Sequence, residues 1–452
     1  MQSGQSPDSF KYYVDGSPKI ADVKVQGEWR TYLVFGQGKG GTFYNALDVT
    51  LDRMSEAVAD TADVAEVLSY FAQPDRIARK WSFPRNSSFD VSRSPYGDLA
   101  SAALDVEKTV GETWSVPAIG QLVNESGPYV VLVGSGFMPR SVEQAANRGG
   151  LRAGRNFYVL NIATGAVQAT QSVGADGLGE EDDDCRTAGV CQRIKNALQM
   201  DPIAVGQGDS RFITSAYMGD LDGRLWRFDM SMNGSTVSLA TPVKLFDAGA
   251  AEPMFSSMAT FTVAGQGPHI FLGTGSDMLP ANGMNSSYRL LVLVDNGGSA
   301  TLKAEILLEK TDGDAGDEKV TGFPAVAGPV VYFTTTTVLP AQVCAPFYAQ
   351  LYALNFRGGP AYDTNDDGKV TDPTLPTKHS TSAAKRGGGG KGADDDVLVS
   401  SIAGVRATAP FIVDQHLVFG AGGTLQMFGD PDSFNNGIGQ AATRILSWRI
   451  VK

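Results

Sequence analysis

At 452 residues, with 53 glycines, 22 prolines and only 19% charged residues, the chain is turn-rich and globular rather than disordered. Its formal net charge of -12 argues against nucleic acid or an anionic membrane surface as the main partner, because both reward clustered Lys and Arg. No apolar run of about 18 residues is present to span a bilayer, and the start "MQSGQSPDSFKYYVDG" has no basic and apolar leader.

Read in chain order, one phrase recurs: an apolar or β-branched run, a glycine turn, and a second run ending in Asp or Asn. It appears as "TYLVFGQGKGGTFYNALDVT" from Thr31, then "YVVLVGSGF" from Tyr129 with "NFYVLNIATG" from Asn156, then "FITSAYMGDLDGRLWRFDM" from Phe212. It returns as "HIFLGTGSD" from His269 with "YRLLVLVDNGG" from Tyr288, "VVYFTTTTV" from Val330 with "AQLYALNFRGG" from Ala349, and "LVFGAGGTLQMFGD" from Leu417. Short apolar strands precede several units: "WSVPAIGQL" from Trp114, "FSSMATFTV" from Phe255, "TGFPAVAG" from Thr321 and "RATAPFIV" from Arg406.

A pre-strand, a strand, a glycine turn and a closing strand make an antiparallel blade that cannot bury both its faces alone. Arranging blades around an axis solves this and hides the edges, so the expected fold is all-β: a modified β-propeller of about seven blades with little helix. The units lie roughly 60 to 90 residues apart in places, wider than a blade of about 40 to 50, which implies long insertions between strands. The competing reading is a sandwich or two stacked all-β domains. The expected organisation is a single domain over 1–452, with "TRILSWRI" at 443–450 pairing near residues 20–50 to close the ring. Little helix is expected, with the clearest candidates at 141–149 ("SVEQAANRG") and 191–199 ("CQRIKNALQ"). The glycine-rich segment 374–396 reads as a flexible surface loop.

Cys185 and Cys191 lie six apart in a polar segment and suit a small disulfide loop, with unpaired thiols as the alternative; Cys344 is left over. His269, His379 and His416 are the only histidines, and none has metal-ligand spacing. With no G-x-S-x-G elbow and no P-loop, the chain reads as non-catalytic.

The residues also resemble a particular family, the C-terminal β-propeller domain of the PilY/PilC type IV pilus tip adhesins. The resemblance rests on "YYVDGSPKIADV" at 12–23, "GKGGTFYNALDVT" at 38–50 and "GETWSVPAIGQL" at 111–122. It continues through "YMGDLDGRLWRFDM" at 217–230, "IFLGTGSD" at 270–277 and "LYALNFRGGPAYDTNDDG" at 351–368. It implies the C-terminal part of a larger exported protein at the pilus tip or outer cell surface. Minor pilins or other pilus tip components would be its partners, and a separate N-terminal region would bind host or abiotic surfaces. It further implies that bound calcium modulates pilus extension and retraction, and hence attachment and twitching motility. The chain departs from the family at "DPIAVGQGD", 201–209. The family's calcium loop has oxygen-bearing residues where this chain has Ile203 and Val205, so calcium is not expected at Asp201.

The main calcium candidate is instead "YDTNDDGKVTD", 362–372. Asp363, Asn365 and Asp367 alternate so that their oxygens converge in a curled loop, Gly368 permits the sharp turn, and the Lys369 carbonyl adds an oxygen. Thr374 stands where an EF-hand has its bidentate Glu, so Asp372 is the acid that could close the sphere, with moderate Ca2+ affinity expected. The alternative is a solvated Asx turn. "GEEDDDC" at 179–185 reads as a solvated acidic loop, and Asp220 and Asp222 of "GDLDG", 219–223, as turn residues.

Two further functional readings stay open. A quinoprotein-type calcium-dependent dehydrogenase would share the strand phrases and the calcium, but such proteins usually carry adjacent cysteines, which are absent here. A glycan-binding propeller would require exposed aromatic side chains.

Overall fold

The computed structural model describes residues 13–51, 64–85 without 74–75, 107–137 without 108, 154–173, 197–249 without 209, and 251–275 without 263–264. It further describes 288–308, 317–338 without 321 and 329, 347–362, 377–379, and 398–428 without 404–406, 414–415 and 422–423. The chain divides into two compact units. One comprises Met1–Leu221 and Trp226–Val243, the other Asp222–Leu225 and Lys244–Lys452.

The first sheet is an antiparallel meander of β1 (Lys19–Val25), β2 (Glu28–Gly36), β3 (Tyr44–Asp48) and β4 (Ala78–Phe83). The second repeats the pattern with β5 (Ala118–Gln121), β6 (Tyr129–Gly134), β7 (Asn156–Asn161) and β8 (Val167–Ser172). The third runs β9 (Ile203–Gly206), β10 (Ile213–Gly219), β11 (Arg224–Asn233) and β12 (Thr236–Leu239), and β13 (Val243–Asp247) also pairs with β11. The fourth holds β14 (Ala259–Phe261), β15 (His269–Gly273), β16 (Tyr288–Asp295) and β17 (Ala300–Leu308).

In the fifth sheet β18 (Asp317–Val320) and β19 (Ala325–Ala327) both pair with β20 (Val330–Val338), which pairs with β21 (Phe347–Asn355). Next in the chain, β22 (Thr377–His379) adds in parallel to β17, and β23 (Leu398–Ala403) completes the fifth sheet beside β21. The sixth contains β24 (Phe411–Val413), β25 (His416–Ala421) and β26 (Thr424–Phe428). Six sheets are thus present among the described residues, and the fold is all-β as expected. The proposed closing strand at 443–450 lies outside the described residues.

The six recurring phrases supply strand pairs in the six sheets, for example β6–β7 and β20–β21, and the four pre-strands become β5, β14, β19 and β24. Their apolar runs do not alternate because both faces of these sheets are buried. In β20, Val331 and Phe333 share a cluster with Phe271, Leu290 and Ile306 of the fourth sheet. The intervening Val330 and Tyr332 share another with Leu417 and Phe419 of the sixth. In the first unit, Val131 and Val133 of β6 join Tyr32, Val34, Tyr44 and Ala46 of the first sheet. On the other side of the second sheet, Phe157 stacks on Phe228 with ring centroids 4.1 Å apart. Each such buried side chain contributes about 1.5–3 kcal/mol relative to exposure, so the two-faced strands carry most of the stability.

One α-helix occurs among the described residues, α1 (Val64–Phe71), in the connection from β3 to β4. It was not anticipated: "VAEVLSYF" is rich in valine and aromatic residues, and its two turns bury Tyr70 while leaving Leu68 65% exposed. The helix expected at 141–149 lies outside the described residues. Of the one expected at 191–199, Ala197–Gln199 are buried and non-helical, and the rest lies outside the described residues. All three cysteines lie outside the described residues too. Of the segment 374–396, Thr377–His379 form β22 and the remainder is outside the described residues. Among the described residues no helix is long and apolar enough to cross a membrane.

Candidate functional site

Asp363, Asn365, Asp367, Lys369 and Asp372 all lie outside the described residues. The root from which their loop departs is described, and it is held firmly. Asn355, at the end of β21 and buried, accepts at Oδ1 from the backbone N–H groups of Arg357 (2.8 Å) and Gly359 (3.2 Å). Its Nδ2 donates to the Pro360 carbonyl at 3.0 Å, and its own N–H donates to the Gly359 carbonyl at 2.8 Å. One amide thereby fixes the turn "NFRGGP", as Asn does wherever it mimics a backbone turn. Gly358 sits at φ +92°, and a Cβ there would collide with the Ala304 side chain.

Past the turn, Ala361 is buried and the Tyr362 hydroxyl hydrogen-bonds the Tyr332 hydroxyl of β20. Burial raises the pKa of both phenols, so both are protonated at neutral pH. On the exit side, β22 pairs Thr377 with Ile306, Lys378 with Leu307 and His379 with Leu308. The intervening residues 363–376 are therefore bounded by two fixed points. Sequence reading marked the loop but missed its anchor; the Asn at the end of an apolar strand followed by "RGGP" was the available signal.

At the family's other candidate position, Asp201 precedes β9, and its Oδ1 accepts the Val116 N–H at 2.6 Å. Burial pushes its carboxyl up to about 7, against the pull of that hydrogen bond and of the Lys19 charge. Ile203 and Val205 lie within strand β9, paired to β10, and offer no side-chain oxygens. In "GDLDG" the turn reading holds. Asp220 is fully buried and Oδ2 accepts the Trp226 indole N–H at 2.7 Å, while Gly223 adopts φ +76° against the Gly249 carbonyl.

The second unit holds two groups of buried or half-buried acids. The Arg289 guanidinium bonds Glu252 through Nε and Nη2 (2.7 and 2.8 Å) and Glu305 through Nη1 (2.7 Å). Burial lowers the Arg289 pKa, but its hydrogen bonds to and the charges of Glu252 and Glu305 outweigh this and raise it. Glu318, 1% exposed, instead receives neutral donors: Thr335 Oγ1 and Tyr352 Oη, each 2.6 Å from Oε1. Gln350, with its amide turned to donate, adds a third at 2.6 Å. Among the described residues no group of three or more His, Cys, Asp or Glu is arranged to hold a metal ion.

Repeated antiparallel sheets with apolar clusters on both faces define an all-β protein of the modified propeller class. Comparison with known proteins agrees. The chain is 26% identical over 315 residues to the type IV pilus biogenesis factor PilY1 homolog of Xylella fastidiosa, covering 66% of this chain and 17% of that protein. It is 25% identical over 227 residues to PilY1 of Pseudomonas aeruginosa, covering 50% of this chain and 14% of that protein. In structure it is similar to the crystal structure of the Pseudomonas aeruginosa PilY1 C-terminal domain, at 17% identity and a TM-score of 0.54, covering 93% of this chain and 84% of that one. The resemblance to the PilY C-terminal propeller therefore holds in sequence and in fold. No family model matches the chain. The chain spans less than a fifth of the length of the curated relatives it matches.

Proposed function

We propose that the chain is the pilus-linked propeller of a type IV pilus biogenesis factor, forming one domain over 1–452 at the pilus tip or outer cell surface and working without catalysis. The observation that carries this reading is the agreement of sequence and fold similarity on PilY1 across most of the chain. Its partners in this reading are minor pilins or other tip components, and surface attachment belongs to a region outside this chain. Calcium binds the 363–372 loop through Asp363, Asn365, Asp367, the Lys369 carbonyl and Asp372, neutralises its acids and selects one loop conformation. The firm root at Asn355 and Tyr362 supports a modulatory role, since a loop tethered at both ends passes a change of shape to β20, β21 and β17 rather than dissipating it. Pilus components read that surface, so that extension, retraction and twitching respond to calcium.

Calorimetry on the purified chain tests the proposal. Calcium should bind with affinity in the range of extracellular modules, about 10⁻⁴–10⁻³ M, and raise the melting temperature. Asp367→Ala should abolish both effects. Absence of binding by the unmutated protein defeats the calcium reading, and a bound quinone chromophore in its absorption spectrum defeats the non-catalytic one.

A further inference from the structure

The first unit carries an exposed aromatic group that the pilus reading does not use. Trp29, at the start of β2, is 54% exposed and lies opposite Lys24 of β1. Its ring meets Tyr129 of β6 edge-on, centroids 6.2 Å apart at 73°, which leaves part of the indole open to solvent. The Arg211 guanidinium lies 4.9 Å from the Phe212 ring centroid, and its charge reaches the Tyr129 hydroxyl. The Arg211 Nη2 is 3.6 Å from Glu125 Oε1, both side chains being largely exposed at 67% and 84%.

These groups stand on a rigid base. The turn from β5 to β6 is closed by the Leu122 N–H to Pro128 carbonyl bond (3.1 Å) and the Gly127 N–H to Asn124 carbonyl bond (3.0 Å). The Gln121 amide donates to the carbonyls of Glu125 (2.9 Å) and Gly127 (3.0 Å). The Val123 N–H donates to the Ile213 carbonyl at 2.9 Å, tying this turn to the start of β10, where Arg211 and Phe212 sit. Little conformational freedom is left to lose when a ligand arrives.

We propose that Trp29, Tyr129 and Phe212, with Arg211 and Glu125, form a binding site for a neutral saccharide. An open indole face offers its negative quadrupole to the polarised C–H groups on one side of a pyranose ring. The exposed guanidinium and carboxylate offer the donor and the acceptor that one sugar hydroxyl, or two neighbouring ones, require. Opposite charges held together leave the patch near electrical balance, which favours a neutral partner over an anionic polymer. Lys24, directly across from Trp29 on β1, puts a charge beside the indole and interrupts the apolar surface that a hydrophobic protein partner would need.

Affinity electrophoresis of the whole chain in native gels containing dextran, laminarin or galactomannan tests this, with tryptophan fluorescence as a second readout. Retardation by at least one neutral polysaccharide, persisting at ~0.5 M salt, is expected. Trp29→Ala should weaken it roughly tenfold and Arg211→Ala severalfold, with unchanged melting curves because both side chains are largely exposed. No retardation by any of the three, or equal retardation of Trp29→Ala, overturns the proposal. Binding confined to polygalacturonate or to anionic phosphatidylglycerol vesicles, and lost in salt, overturns it as well.

Discussion

Two regions hold acids largely withdrawn from water and support them differently: the Arg289 and Glu318 clusters of the second unit, and Asp201 of the first. In the second, Glu252 and Glu305 converge on one guanidinium, while Glu318 is served by hydroxyl and amide donors. In the first, Asp201 has one backbone N–H at 2.6 Å and the distant help of Lys19, and it is left with a carboxyl pushed up to about 7. Removal from water disfavours every one of these charges; what differs is how far the surroundings replace the lost hydration. One backbone donor leaves the Asp201 carboxyl at about 7, so that this acid changes state near neutrality.

The largest effect expected from breaking this contrast is at Arg289. Arg289→Met leaves Glu252 and Glu305, 11% and 22% exposed, facing each other without their cation, and should cost about 3 kcal/mol in denaturant unfolding. Adding Glu252→Gln and Glu305→Gln should recover most of the loss, because the cost lies in uncompensated charge rather than in lost volume. A single Arg289→Met loss below about 0.5 kcal/mol would place this cluster with ordinary surface ion pairs.

Asp201 predicts the opposite sign. Its folded pKa is raised from 3.8 to about 7, so its contribution to stability is fully present below pH 3.8 and is lost as pH rises through 7. At 1.36 kcal/mol per pKa unit the bound is ~4 kcal/mol, which partial exposure of this residue reduces to about 2. Asp201→Asn keeps an oxygen for the Val116 N–H and removes the charge. The variant should therefore be more stable than the parent at pH 8 and match it near pH 4. Equal pH dependence of the two proteins would show that Asp201 is solvated.

How much of this the sequence revealed follows the same physics. The middle strands were legible because burial on both faces demands continuous apolar runs such as "YVVLVG" in β6 and "YRLLVLVD" in β16. The outer strands were not: β8, "VQATQS", is only half-buried along its length, and its composition suits a loop as well as a strand. The Asp220 turn could be read from "GDLDG", since glycine and short acids have local reasons to be there. The partners of Glu318 could not. Thr335, Gln350 and Tyr352 reach it from two other strands, and no local spacing reports a contact across 17 to 34 residues. Exposure at Trp29 was equally silent, because an exposed indole and a core indole are written with the same letter.

The smallest expected effect sharpens the neutral-donor case. Thr335 and Tyr352 both donate to Oε1 of Glu318, so each hydroxyl moderates the consequence of losing the other. Tyr352→Phe should cost about 1–2 kcal/mol, since one donor is removed from a carboxyl group that water does not reach. Thr335→Val should cost a similar amount, with its volume nearly preserved. Two independent bonds would make the double variant the sum of the singles. Shared service to one oxygen instead strips Oε1 of both hydroxyl donors at once, with Gln350 still donating. The double variant should then lose about 0.5–1 kcal/mol more than the sum, a coupling that a double-mutant cycle reads directly. Strict additivity would mean that the two hydroxyls do not depend on the same oxygen, and Glu318 would then join Asp201 as an acid without a complete set of donors.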